Sequence, residues 1–206
     1  MTSDARRILT GSEDHTVKVW DGGSGALITT HLGHTDKVVA LTLSSDGKYA
    51  LSTQGNGAAR LWDVATGRLR QAFEDDRGQW RSSHLSADAT RVVIATSDLT
   101  RIWITDRAAP QQVLPRLEVG DLRAVSEDGA RLFFEHGDDL VVRDVDGSGR
   151  RTLPRVHQRW LRGASFSSDG SLAVTASADG TACIFDIARG TLLQTQSQVR
   201  ADAPAR

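Results

Sequence analysis

An all-β fold built from a recurring antiparallel unit is what this sequence predicts, and three observations carry the prediction. The stretch Thr10–Asp21 alternates apolar and polar residues, turns at Asp14-His15, and alternates again into an aromatic followed by an aspartate. The same shape returns at Thr53–Asp63, Ala95–Ile104, Phe134–Asp144 and Ala176–Asp186, and its aromatic slot holds Trp20, Trp62, Trp103, Arg143 and Phe185, spaced 42, 41, 40 and 42 residues. A second marker keeps the same phase: Ser44-Ser-Asp-Gly47, Ser86-Ala-Asp-Ala89, Ser126-Glu-Asp-Gly129 and Ser167-Ser-Asp-Gly170 recur at 42, 40 and 41 residues, each before an apolar strand.

A period of about 40–45 residues closing on Trp-Asp resembles the WD40 repeat, one propeller blade per repeat. The resemblance covers residues 1–196 and implies a WD40-type β-propeller of about five four-stranded blades. The repeats are read at 1–32, 33–74, 75–114, 115–155 and 156–196, with a polar tail at 197–206 containing Pro204. The family's blade has four antiparallel strands, a to d, with the Trp-Asp pair closing strand c.

Taken in order, the first repeat offers strand b at Arg7–Gly11, c at Val17–Trp20 and d at Ala26–Thr30, and it lacks strand a. The second is the most regular, with Lys37–Leu43, Tyr49–Thr53, Ala59–Trp62 and Leu69–Phe73 following Gly33-His34. The third reads Gln79–Leu85, Arg91–Ala95, Thr100–Ile104 and Gln111–Leu114, with a tight b–c turn at Ser97-Asp98. The fourth, Asp121–Val125, Arg131–Glu135, Leu140–Arg143 and Arg151–Leu153, has the weakest apolar faces. The fifth recovers the pattern with Leu161–Phe166, Leu172–Ala176, Thr181–Phe185 and Thr191–Thr195.

Propellers of the family are sealed when one end of the chain lends a strand to a blade begun by the other. Here the segment in position to do so is Arg200–Arg206, whose β-propensity is weak and whose Pro204 cannot donate to a ladder. The expectation is therefore an open or incomplete ring whose unpaired edge strands invite self-association. A closed five-bladed ring is the alternative.

Composition bounds the function classes. The 206 residues carry 25 basic and 26 acidic side chains for a net charge of −1, so no basic face is offered to nucleic acid. No apolar run approaches the roughly 20 residues that span a bilayer, and neither membrane nor cofactor is expected. Cys183 is the single cysteine, read as a buried small hydrophobe, and a cytoplasmic location is the default.

In the family a His before strand a, a Ser or Thr in strand b, an Asp in the b–c turn and the strand-c Trp form a hydrogen-bonded tetrad. Mapped here, the first repeat offers Ser12, Asp14 and Trp20, and the second His34, Asn56 and Trp62 with Gln54 in the Ser slot. The fifth offers His157, Ser177 and Asp179 with Phe185 replacing Trp, so no tetrad is complete. His157, Ser177 and Asp179 also have the composition of a nucleophilic triad, but the family buries that Ser in mid-strand, where no oxyanion hole faces it. The histidines lack metal-ligand spacing, and the aspartates of the Ser-x-Asp-Gly turns fall one per repeat and cannot converge. No catalytic, cofactor or metal site is expected.

Trp80 aligns with the inward Val38 and reads as core. Trp160 aligns with Lys37, outside the core pattern, and with Arg159 and Arg162 beside it has the composition of a binding hot spot. The loops His31–Lys37, Glu74–Arg81, Leu114–Asp121 and Arg155–Arg162 then form a mixed-charge face in which Lys37, Arg77 and Arg81 join Trp160 as candidate contacts. The resemblance implies a non-catalytic scaffold or adaptor for a protein partner. The competing readings are a fragment of a longer WD40 protein whose effector domain is missing, and a propeller enzyme with a central-channel pocket.

Overall fold

The computed structural model describes residues 6–74 and 78–197. Arg77 and the Arg200–Arg206 segment, on which two of the expectations above rest, lie outside them. Five antiparallel sheets follow one another, and in each the strands pair in chain order. The first has three strands, β1 (Arg7–Gly11), β2 (Val17–Asp21) and β3 (Leu27–His31). The second comprises β4 (Val38–Leu43), β5 (Tyr49–Gln54), β6 (Ala59–Asp63) and β7 (Leu69–Phe73). The third comprises β8 (Trp80–Leu85), β9 (Arg91–Thr96), β10 (Leu99–Ile104) and β11 (Gln112–Pro115). The fourth holds β12 (Asp121–Val125), β13 (Arg131–His136), β14 (Asp139–Asp144) and β15 (Arg150–Leu153). The last holds β16 (Leu161–Phe166), β17 (Leu172–Ser177), β18 (Thr181–Asp186) and β19 (Thr191–Ser197). This is the all-β series of antiparallel sheets that the period implied, the first holding three strands among the described residues.

Two details depart from the sequence reading. A single helical turn, α1 (Arg116–Val119), precedes β12 and closes on Gly120, whose N–H reaches the Arg116 carbonyl at 2.7 Å. Strand β19 runs to Ser197, one residue into the stretch read as tail, because its ladder to β18 continues through Thr181–Ser197.

The Ser-x-Asp-Gly marker is a turn device. In the second sheet the Ser44 hydroxyl donates to Asp46 at 2.7 Å and accepts the Tyr49 N–H at 3.0 Å, while Asp46 accepts the Lys48 N–H at 3.0 Å. The fourth residue lies in the left-handed region, at φ 69° for Gly47 and 67° for Gly170, where a Cβ is costly. The third sheet puts Ala89 there at φ 56°.

The chain divides into two compact units, residues 1–122 and 123–206, with the boundary inside β12. In the first unit, Leu51, Leu61 and Phe73 of one sheet pack on Val92, Ile94 and Trp103 of the next. In the second, Phe133, Leu140, Val142 and Leu153 pack on Ala173, Cys183 and Phe185. A one-residue bulge recurs at the same place in the first strand of three sheets, leaving Val39, Arg81 and Arg162 unmatched in the ladder. Such bulges re-aim a side chain, and Arg81 and Arg162 are both exposed.

Candidate functional site

The tetrad positions hold the loops that carry the exposed residues. Trp62 pairs with Ala50 across β5–β6, and its indole reaches diagonally to the residue two further along, Ser52. Its Nε1–H donates to Ser52 Oγ at 2.7 Å. An indole can only donate, so Ser52 Oγ accepts from Trp62, and the same oxygen is bonded to His34 Nε2 at 2.6 Å. His34 Nδ1 lies 2.8 Å from Gln54 Oε1 and 3.1 Å from Arg60 Nη1, and Gln54 Nε2 donates to Asn56 Oδ1 at 2.8 Å. The hydroxyl of the network is therefore Ser52, two residues before Gln54, and the second repeat holds a continuous chain from Trp to turn where no complete tetrad was expected. Gln54 bridges the gap left by Asn56 in the Asp slot.

The same two-residue correction holds in the first and last repeats. Trp20 donates to Thr10 Oγ1 at 2.9 Å, while Ser12 accepts the Asp14 N–H at 3.2 Å. In the last sheet His157 Nε2 meets Thr175 at 2.7 Å and Nδ1 meets Thr181 at 2.8 Å. Thr181 in turn donates to Asp179 at 2.6 Å. Ser177 donates to the carbonyl of Arg159 at 3.1 Å, and both nitrogens of His157 are taken by threonines, so the nucleophile–base bond of a triad is not made. Burial holds His157 below the ordinary imidazole range, against the opposing pull of Asp179 and Glu135. The Thr181 hydroxyl, helped by the N–H groups of Gln158 and Thr181, keeps the Asp179 carboxyl well below the usual range despite the opposing effect of burial.

These contacts fix one loop. Asp179 accepts the Gln158 N–H at 2.7 Å, Ser177 holds the Arg159 carbonyl, and the Ala178 N–H reaches the Trp160 carbonyl at 3.0 Å. The backbone from His157 to Trp160 is thus pinned to the β17–β18 turn while the Trp160 side chain stands 58% exposed. The Arg162 guanidinium lies 5.0 Å from the Trp160 ring centroid, a cation–π contact.

Beside Trp160 opens a cavity of about 290 Å³. Leu140 and Leu161 line it, both buried, and Glu135, Asp138, Arg155 and Arg159 give it charge of both signs. Glu135 accepts the Leu161 N–H at 3.1 Å and the Arg123 Nε–H at 2.7 Å, which orients a carboxylate that is mostly buried. Asp138 pairs with Arg155 at 2.7 Å, in solvent. Arg159 is exposed. Sequence reading placed Arg155 on the mixed-charge face but did not bring Glu135 and Asp138 to it. The available signal was Glu135 itself, an acid standing in the apolar strand Leu132–Phe134.

The remaining described candidates for the face, Lys37 and Arg81, lie in the first unit. Lys37 is exposed at the start of β4, and its carbonyl accepts the Gly55 N–H at 3.1 Å. Arg81 is exposed on the β8 bulge. His31, read from the sequence as the start of a face-forming loop, is buried and stacks on Trp62 with ring centroids 4.8 Å apart. Among the described residues no group of three or more His, Cys, Asp or Glu side chains converges as a metal site, and no helix is long and apolar enough to cross a membrane.

The family model described as WD domain, G-beta repeat, matches residues 1–21, 25–63 and 147–186. Protein tipD of Dictyostelium discoideum is 23% identical over an alignment covering 93% of this chain and 40% of its own length. Autophagy-related protein 16 of Arabidopsis thaliana is 24% identical, covering 87% of the chain and 36% of that protein. The WD repeat-containing protein SL1-17 of Schistosoma mansoni is 28% identical over 90% of the chain and 63% of its own length. The chain thus spans well under half of the first two relatives.

Proposed function

We propose that this chain of WD40 repeats is a non-catalytic scaffold that holds a protein partner at the Trp160 cavity. One observation carries the reading: a tryptophan left 58% exposed at the rim of a cavity, on a loop whose backbone is held at three successive residues. An exposed aromatic on a fixed backbone gives up little conformational freedom on binding, which is why such residues dominate interface energies. The neighbouring Asp138–Arg155 pair and Arg159 supply a polar rim of both signs, suited to one protein surface more than to a polyanion. Similarity to proteins named for WD repeats supports an interaction role, and the WD40 repeat is in general a non-catalytic interaction module. A cytoplasmic location is proposed with it, and cell fractionation tests that.

The test is affinity capture with the wild-type chain and with Trp160→Ala. The exposed ring makes no core contact to lose, so thermal stability should stay within about 1 kcal/mol, while a partner held at this site weakens by about 2 kcal/mol or more. A partner captured equally by both chains removes Trp160 from the interface. A large loss of stability with unchanged capture makes Trp160 a structural residue.

A further inference from the structure

We propose, resting on the assignment of the Trp160 cavity to a protein partner, that the segment seated there is an acidic peptide carrying one apolar side chain. The apolar group enters the cavity and a neighbouring carboxylate is bound by Arg159 and Arg162. Both carboxylates that line the cavity are already engaged. Glu135 accepts from Arg123 Nε at 2.7 Å and from the Leu161 N–H, and Asp138 is paired with Arg155 at 2.7 Å. Asp179, in the neighbouring turn, gives its oxygens to the Gln158 N–H, the Thr181 N–H and the Thr181 hydroxyl. Arg159 and Arg162 are different. Both are exposed, and among the described residues no carboxylate is paired with either.

The excess is local, because the whole chain carries a net charge of −1. Arg162 lies against the Trp160 ring, a contact that neutralises none of its charge. Its place on the β16 bulge takes it out of the ladder, and the Arg159 carbonyl is fixed by the Ser177 hydroxyl at 3.1 Å. An arriving carboxylate therefore finds cations on a held backbone and breaks no existing pair. A basic segment meets the reverse. It would have to draw Glu135 from Arg123 or Asp138 from Arg155 while approaching two uncompensated arginines, and like charges brought together select against a partner. The floor asks for more than charge. Leu140 and Leu161 are buried and Val156 half-buried there. A cavity of about 150 Å³ already admits benzene, so about 290 Å³ accommodates a leucine side chain.

NMR titration of the isotope-labelled full chain with two synthetic peptides tests this. One peptide has a leucine between two pairs of glutamates, and the other has lysines in place of the glutamates. The Trp160 indole N–H resonance, assigned by its loss in Trp160→Ala, reports binding at the site. The glutamate peptide should shift it saturably, and the lysine peptide should bind about tenfold more weakly or not at all. Arg159→Glu, at an exposed side chain outside any ion pair, should keep the melting temperature and abolish or reverse that preference. Added salt should weaken the glutamate peptide. A lysine peptide that shifts the Trp160 resonance as readily overturns the acidic preference while the cavity stands as a binding site. A preference that survives both Arg159→Glu and Arg162→Glu also overturns the inference. Glutamate binding that leaves the Trp160 resonance unmoved overturns the inference and the Trp160 reading together. If neither peptide moves the resonance, the inference falls, and capture with Trp160→Ala decides the partner reading by itself.

Discussion

Replacing Ser52 by Ala removes one oxygen that serves two buried nitrogens. Trp62 Nε1 loses its acceptor at 2.7 Å and His34 Nε2 loses its hydrogen-bond partner at 2.6 Å. Ser52 is 0% exposed and Trp62 5%, and the space freed by a hydroxyl is too small for a replacement water. A buried polar group left without its partner costs about 1–3 kcal/mol, so two together cost about 2–6 kcal/mol. Thr10→Ala deletes the same chemistry at Trp20, but that hydrogen bond is exposed and water can replace the hydroxyl. It should cost less than about 1 kcal/mol. Urea unfolding followed by tryptophan fluorescence at pH above 7 measures both, and Ser52→Thr should recover most of the loss. If Ser52→Ala and Thr10→Ala move the midpoint equally, the network contributes nothing beyond an ordinary surface hydrogen bond and the reasoning fails.

Trp62→Ala should cost about 3–5 kcal/mol by emptying a large buried site, whereas Arg143→Ala, the same slot in a half-buried setting, should cost about 1 kcal/mol or less; equal shifts in the unfolding midpoint would refute the slot assignment. Asp179→Ala removes the acceptor of the Gln158 and Thr181 N–H groups, so amide exchange at residues 157–161 should speed at least tenfold while exchange in β13 and β14 stays unchanged; equal protection in the variant would refute the pinning of that loop. Burial holds His31, His34 and His157 below the ordinary imidazole value, so the fold binds fewer protons than the unfolded chain. Stability should then rise with pH and be lost as pH falls below about 6.5, the unfolded imidazole value. The melting temperature should drop between pH 7.5 and 5.5, and a flat profile there would refute it. Asp169, pushed down to about 2 by the Ser167 and Ser171 hydrogen bonds, acts in a separate window, its contribution lost only as pH falls below the ordinary aspartate value through about 2.

The repeat phase was legible in the sequence because it is a one-dimensional property. The Ser-x-Asp-Gly turns and the aromatic slot mark where each strand starts and ends, and β1, β12 and β16 begin and end where the alternation does. Which hydroxyl serves the tryptophan was not. Residues two apart on a strand share a face, so Ser52 and Gln54 satisfy the same pattern, and only the pairing of Trp62 with Ala50 sends the indole to Ser52. The cavity beside Trp160 was half legible. An aromatic outside the core pattern announced itself, but Glu135 and Asp138 join it from another sheet, more than twenty residues earlier, through the Leu161 N–H and the Arg155 guanidinium. Alternation gives each strand an apolar face, but burial depends on whether another sheet lies over it. Val174 and Leu51 occupy the same register position in their sheets, yet one is 44% exposed and the other 0%, a difference that only the tertiary packing decides.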